Sequence, residues 1–189
     1  MIEVKRYTDT DAELWNKFNA ESKNSLFMFD RNYMDYHRDR FQDHSLMFYE
    51  NEKLVAILPM SERENELVSH GGLTYGGFIT DNKMKQHTMN ECVTSLLQYA
   101  ETEGFDRVYY KVIPHIFHEQ PAEEDRYALF VQNARIEKIE ASTVINLKKP
   151  LKMPKGRKAQ ISRARRESVI IEEAQQLILM SLSHLKIVC

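Results

Sequence analysis

Cysteine is nearly missing from this chain: Cys92 and Cys189 are its only two. Two distant thiols make neither a disulfide framework nor a zinc module. Long apolar runs are missing too. The longest, Leu54 to Met60, holds seven residues and includes Pro59, far below the roughly 20 that a membrane-spanning helix needs. The N-terminus, Met-Ile-Glu-Val-Lys-Arg-Tyr, lacks the apolar core of a secretory signal, so the reducing cytoplasm is the expected compartment. Glycine is scarce, at six residues, and proline at five. There is no Gly-x-Ser-x-Gly elbow, no phosphate-binding Walker loop and no zinc spacing, which removes the usual serine-hydrolase, nucleotide-hydrolase and zincin readings.

What is present fits an ordinary globular domain. One Trp, nine Tyr and nine Phe among 189 residues can build a core, and a chain of this size buries about 70% of its unfolded surface. Net charge is −2, from 26 basic and 28 acidic residues. Residues 148–166, however, carry nine Lys or Arg and no acid, leaving the remainder at −11. That block marks a change of character near Pro150.

Alternation predicts a strand over residues 2–7. Thr10-Asp11-Ala12-Glu13 has the form of a capping box, with Leu14, Trp15 and Phe18 following at helical spacing. Asp30 is placed to cap a second helix with Tyr33, Met34, Tyr36, His37 and Phe41 on one face. Strands are predicted at 45–50, 54–60 and 66–70, joined by polar turns. Four of the six glycines then fall in His70-Gly71-Gly72-Leu73-Thr74-Tyr75-Gly76-Gly77-Phe78. Asp81 or Asn82 opens the longest helix, with Cys92 on its apolar stripe and Gly104 as its C-terminal cap. A strand over 107–112, a helix over about 122–132 ended by Asn133, and strands over 134–140 and 142–147 complete the pattern. The expected fold class is α/β (α+β), a mixed, mostly antiparallel sheet flanked by helices, in the order β-α-α-β-β-β-α-β-α-β-β.

This order resembles the GNAT acyltransferases. Three segments sharpen the resemblance: the glycine-rich stretch 70–78, Ile113-Pro114-His115-Ile116-Phe117-His118-Glu119-Gln120-Pro121, and Lys155-Gly156-Arg157-Lys158 with Ile161-Ser162-Arg163-Ala164-Arg165-Arg166. They resemble segments of a bacterial Fem-like subgroup, which is similar to the peptidoglycan-bridge aminoacyltransferases and is built from two tandem GNAT-like halves. The resemblance runs from residue 1 to about Ala174. It implies a GNAT-like domain over 1–147, a basic linker and helix over 148–174 opening a second half, and a tail over 175–189 outside the resemblance, such as a premature stop or frameshift would leave. It implies acyl transfer from acetyl-CoA or another acyl-CoA, without a metal, to a small-molecule amine of a cell-envelope or sugar-nucleotide precursor. A nucleotide-linked acceptor or tRNA is among the implied partners, and membrane insertion is not.

Candidate site residues follow. Gly71, Gly72, Tyr75, Gly76 and Gly77 form either a substrate-lining loop or a turn whose glycines meet steric needs. His115 and His118 follow a central strand, where ligands commonly sit. A neutral histidine there could take a proton from an acceptor ammonium; structural hydrogen bonding is the alternative. In a GNAT fold the fourth and fifth strands splay apart to admit the acyl carrier, and the resemblance places His70 and His115 at that gap. It also offers Tyr127 as proton donor to the departing thiolate, against core packing with Leu129 and Phe130. The pyrophosphate-binding turn of these enzymes leads directly into the long helix, whereas here the glycines stop at Gly77 and Asp81 intervenes. In the basic block, Lys155, Arg157, Lys158 and Arg163 are candidate anion ligands, a solvated face or a surface for the second half. Lys155, Arg163 and Arg166 cluster on an ideal helix, while Arg157, Lys158 and Arg165 point elsewhere. With no aromatic interleaved, single-strand stacking is not indicated.

Overall fold

The computed structural model describes residues 1–141 and 143–170. The chain divides into two compact units, Met1–Glu137 and a second beginning at Lys138.

In the first unit, β1 (Ile2–Arg6), β2 (Leu46–Glu50), β3 (Lys53–Leu58) and β6 (Ile79–Thr80) form one sheet in the order β1-β2-β3-β6, all antiparallel. A second sheet runs β4 (Met60–Arg63), β5 (Glu66–Ser69), β7 (Arg107–Tyr109), with β5 and β7 parallel. Pro59 separates β3 from β4 and is the sequence cause of the break, since it offers no ladder donor. The β2–β3 turn places both Asn51 (φ 48°) and Glu52 (φ 65°) in the left-handed region, which matches a tight hairpin to strand twist.

The four-stranded sheet is buried on both faces, and side-chain alternation divides it. Leu46, Phe48, Ala56 and Leu58 join one core with Met89, Cys92, Val93 and Leu96 of α3 (Gln86–Thr102). Met47 and Ile57 join the other with Trp15 of α1 (Ala12–Ala20), Phe29, and Met34 of α2 (Arg31–Met34). Full burial of one such side chain contributes about 1.5–3 kcal/mol. Trp15 also donates its indole N–H to the Phe29 carbonyl at 2.8 Å. A fourth helix, α4 (Glu124–Val131), packs on α3.

Several local expectations shift. The cap before α1 is Thr8 with Asp11, not Thr10 with Glu13. The Thr8 amide donates to the Asp11 carboxylate at 2.9 Å, and a 3-10 turn over Asp9–Asp11 carries the chain into α1. Asp30 caps α2 as expected, accepting from the Asn32 amide at 2.9 Å, but α2 has only four residues. Its predicted apolar face is not formed, because Tyr33 and Tyr36 are exposed. The long helix opens at Gln86 rather than at residues 81–82 and ends at Thr102, with Gly104 (φ 83°) in the left-handed turn just past it. The two strands predicted over 134–140 and 142–147 are not formed among the described residues. Their apolar side chains Ile136, Ile139, Val144, Ile145 and Leu147 are exposed. Strand propensity alone does not hold a strand that lacks a cross-strand partner. The mixed, mostly antiparallel α/β class stands without them.

In the second unit, α5 (Lys155–Arg166) follows Pro154. The expected tail over 175–189 lies outside the described residues, as do Ser142 and residues 171–174.

Candidate functional site

β5 and β7 pair in parallel through Glu66–Arg107, Leu67–Val108 and Val68–Tyr109. Beyond that register the two strands are linked through the glycine-rich segment. The Lys111 amide donates to Ser69 Oγ (3.1 Å), and the Gly76 amide donates to the Lys111 carbonyl (3.3 Å). Lys111 Nζ donates to the carbonyls of His70 (2.8 Å) and Leu73. The Phe78 amide donates to Tyr110 Oη (2.7 Å). The predicted strand gap is therefore bridged from within the chain.

Burial, helped by the nearby Arg63 charge, lowers the Lys111 ammonium to about 8. Tyr110 donates its O–H to Asp125 Oδ2 at 2.6 Å. Burial first, then the Asp125 charge, pushes this phenol well above its usual range. Burial also raises the Asp125 carboxyl, opposed by the Tyr110 hydrogen bond.

The four glycines are explained by close approach. A Cβ on Gly72 would meet the Phe41 ring at 2.6 Å, and one on Gly77 would meet Tyr110 Oη at 2.7 Å. Gly71 likewise faces Phe41, and Gly76 faces the Ser69 backbone. His70 is 2% exposed; its ring lies 5.6 Å from that of Phe41, and its Nδ1 accepts from the Gly72 amide at 3.3 Å. Tyr75 is half-buried and packs on Phe117 with ring centroids 5.5 Å apart. Phe117 lies on the short turn His115–Phe117, so this contact brings the exposed His115 and half-buried His118 to the glycine-rich segment. Both His118 ring nitrogens are buried without a hydrogen-bond partner, and burial lowers its pKa. Tyr127 is 53% exposed on α4, so the core-packing alternative does not hold.

Sequence reasoning missed Phe41, Tyr110, Lys111 and Asp125. The signal was available for Tyr110 and Lys111, which lie inside the predicted 107–112 strand beside the expected gap. Nothing in spacing pairs Tyr110 with Asp125.

The residues that open α3 do not fit an acyl-CoA pyrophosphate. No glycine lies between Phe78 and Glu103 to let the backbone wrap a phosphate. The Asp81 carboxylate occupies this turn and accepts from the Lys83 amide at 3.0 Å. Gln86 Nε2 is spent on Asn90 and the Glu124 carbonyl. Cys92 is no nucleophile, since burial pushes its thiol up to about 12. Among the described residues no cluster suits a metal ion, and no helix is long and apolar enough to cross a membrane.

On α5 the cations Lys155, Arg157, Lys158, Arg163, Arg165 and Arg166 are all exposed. At ~100° per residue, all but Arg157 fall within an arc of about 160°. This face is broader and more continuous than the clustering of Lys155, Arg163 and Arg166 alone. Ile161 and Ala164, opposite it, are half-buried.

No protein-family model matches the chain, and no curated protein does. Solved structures do resemble it. The ribosomal-protein-alanine N-acetyltransferase of Brucella melitensis is 12% identical over 76% of this chain and 98% of its own, with a TM-score of 0.49. The Escherichia coli ribosomal-protein-S18-alanine N-acetyltransferase is 11% identical over 56% of this chain, at a TM-score of 0.40; this chain covers 63% of its length. An aminoglycoside acetyltransferase from a soil metagenome, solved with sisomicin, is 17% identical over 80% of this chain and 97% of its own, with a TM-score of 0.40. These are likenesses of fold, and they assign no residue roles here.

Proposed function

We propose that the chain serves N-acyl transfer as a GNAT-like, Fem-like domain, from acyl-CoA or a similar carrier to the amine of a cell-envelope or sugar-nucleotide precursor. Within that reaction its role is to hold the amine acceptor. The observation that carries this reading is the end of the β5–β7 pair. There the glycine-rich segment crosses the gap and meets the 115–118 turn through Tyr75 and Phe117. A gap bridged in this way, beside a helix terminus unsuited to pyrophosphate, favours acceptor holding over carrier binding.

His115 is then the exposed group suited to accept the ammonium proton, which the amine must lose before it can attack a carbonyl. Tyr75, His118 and the backbone of Gly71, Gly72, Gly76 and Gly77 line the acceptor, and His70 holds Phe41 against the segment. Tyr127, exposed on α4, could protonate a leaving thiolate only where a partner domain presents the carrier to it. Amide-shift mapping with a nucleotide-linked amino sugar tests the assignment. Shifts are expected over 70–78 and 115–118. Shifts confined to the start of α3, or none at all, would overturn it.

A second reading concerns residues 148–166. The cationic face of α5 favours contact with a polyanion through Lys155, Lys158 and Arg163, while Arg157 lies on the opposite side beside Ala164. tRNA is one polyanion of this chemistry.

A further inference from the structure

The two edges of the four-stranded sheet differ. The β6 edge is covered: the Lys23 amide donates to the Thr80 carbonyl at 2.9 Å, and the Thr80 amide donates to Asn24 Oδ1 at 2.9 Å. The β1 edge is not. The Tyr7 amide donates to the Ser45 carbonyl at 2.8 Å, one step past the β1–β2 register. Ladder groups alternate along an antiparallel pair, so Glu3, Lys5 and Tyr7 turn their amides and carbonyls to β2, and Ile2, Val4 and Arg6 turn theirs outward. The Ile2 carbonyl is met by Ser95 Oγ of α3 at 3.3 Å. The outward groups of Val4 and Arg6 have no hydrogen-bond partner among the described residues. Val4 is half-buried and Arg6 exposed, so this edge is open to a second chain.

A row of unpaired ladder groups is a template for another strand. The side chains decide which strand. Glu3 and Lys5 are exposed on one face, where they form an ion pair at 3.3 Å. When β1 pairs antiparallel with a second β1, outward residues must face outward residues. Centring that pairing on Glu3 opposes two glutamates, and centring it on Lys5 opposes two lysines; like charges directly opposite are destabilising. Centring it on Val4 sets each Glu3 opposite a Lys5 of the second copy, twice by symmetry, and Val4 opposite Val4. The charges that forbid the neighbouring registers favour this one. It uses the same patch on both copies and closes on a dimer.

We infer that β1 is a self-association edge: two copies of this chain pair β1 with β1, antiparallel about Val4, through the outward backbone groups of Val4 and Arg6 and reciprocal Glu3–Lys5 ion pairs. This joins two four-stranded sheets into one. So short a seam belongs with the weak interfaces, below about 1,200 Å², and the association is reversible. The inference goes beyond the acyl-transfer reading and does not depend on it.

Sedimentation velocity of the full chain over a concentration series tests the inference. The parent is expected to pass from monomer to dimer as concentration rises. Glu3→Lys and Lys5→Glu each turn both cross-strand pairs into like charges, and each should weaken the dimer about tenfold. Both side chains are exposed, so neither reversal should disturb the fold. Mixed in equal amounts, the two variants should regain the parental affinity, because each then presents only charges opposite to the other's. Amide exchange should slow with concentration at Val4 and Arg6, and not at Glu3 and Lys5, which are already bonded to β2. A parent that stays monomeric at every concentration, a dimer unmoved by either reversal, or a mixture no tighter than its parts would overturn the assignment.

Discussion

Tyr110 joins three parts of the chain through one hydroxyl. It accepts from the Phe78 amide, donates to Asp125 on α4, and leaves Gly77 no room for a side chain. Tyr110→Phe would leave the buried Phe78 amide unpaired and Asp125 with only the Arg126 amide, 2.8 Å from Oδ1, each lost partner costing about 1–3 kcal/mol. Chemical denaturation should show a loss of about 2–4 kcal/mol. Asp125→Asn should behave differently. Burial already raises this carboxyl, so Asn removes a buried charge and keeps one acceptor for Tyr110, while its NH2 must face the Arg126 amide that now bonds Oδ1. At neutral pH that variant should lose less stability than Tyr110→Phe. If the two variants cost the same, the hydroxyl is not the joint described here. Gly77→Ala should also destabilise, by about 1–3 kcal/mol, because its methyl must displace Tyr110.

Element by element, the same sequence features that announced the fold also show where it was hidden. The hairpins, α1, α3 and the caps at Asp30 and Gly104 were legible because each rests on local chemistry. α2 was read too long, since aromatic spacing alone does not show that Tyr33 and Tyr36 stay exposed. The glycines were visible as a cluster, but their reason was not. It lies in Phe41 and Tyr110, 31 and 33 residues away from Gly72 and Gly77 in sequence, and no local pattern encodes such contacts.

Two elements carry testable charge. His44, buried just before β2, has its Nδ1 2.7 Å from Glu62 of β4 and its Nε2 2.8 Å from the Tyr99 hydroxyl of α3. The carboxylate fixes the proton on Nδ1, so Nε2 accepts from Tyr99. Burial lowers this histidine below its ordinary 6.5, against the pull of Glu62. The unfolded chain therefore takes up the proton first as pH falls. His44's contribution to stability is complete above 6.5 and declines as pH drops through it toward the lower folded value. Melting curves of the parent should lose stability over that window more steeply than those of His44→Gln; equal slopes would refute the assignment.

For α5, about five phosphate contacts predict a log–log salt slope near −4.5. Affinity for an RNA duplex should then fall roughly 500-fold between 50 and 200 mM salt. Neutralising Lys158, Arg163 and Arg166 together to Gln should bring that slope to about −2. A salt-insensitive affinity would dismiss the polyanion reading of this helix.

At the scale of the whole molecule, the three-stranded sheet of the first unit sets one parallel pair, β5 and β7, at the centre of the account. The chain's own glycine-rich segment crosses the point where that pair ends. The α/β class was legible in the sequence, and the GNAT resemblance pointed to a gap between the 66–70 and 107–112 strands; the break at Pro59 was not read, since the expected strand over 54–60 ran through it. That the gap is bridged was not, because it depends on Lys111 reaching two carbonyls some 40 residues earlier. An acceptor domain built this way should recognise the amine itself. The deciding measurement is calorimetric titration of the full chain with a nucleotide-linked amino sugar, its N-acetylated form and acetyl-CoA. The account predicts saturable binding of the amine, about tenfold weaker binding of the acetylated form, and no binding of acetyl-CoA. Saturable acetyl-CoA binding with indifference between amine and amide would contradict it.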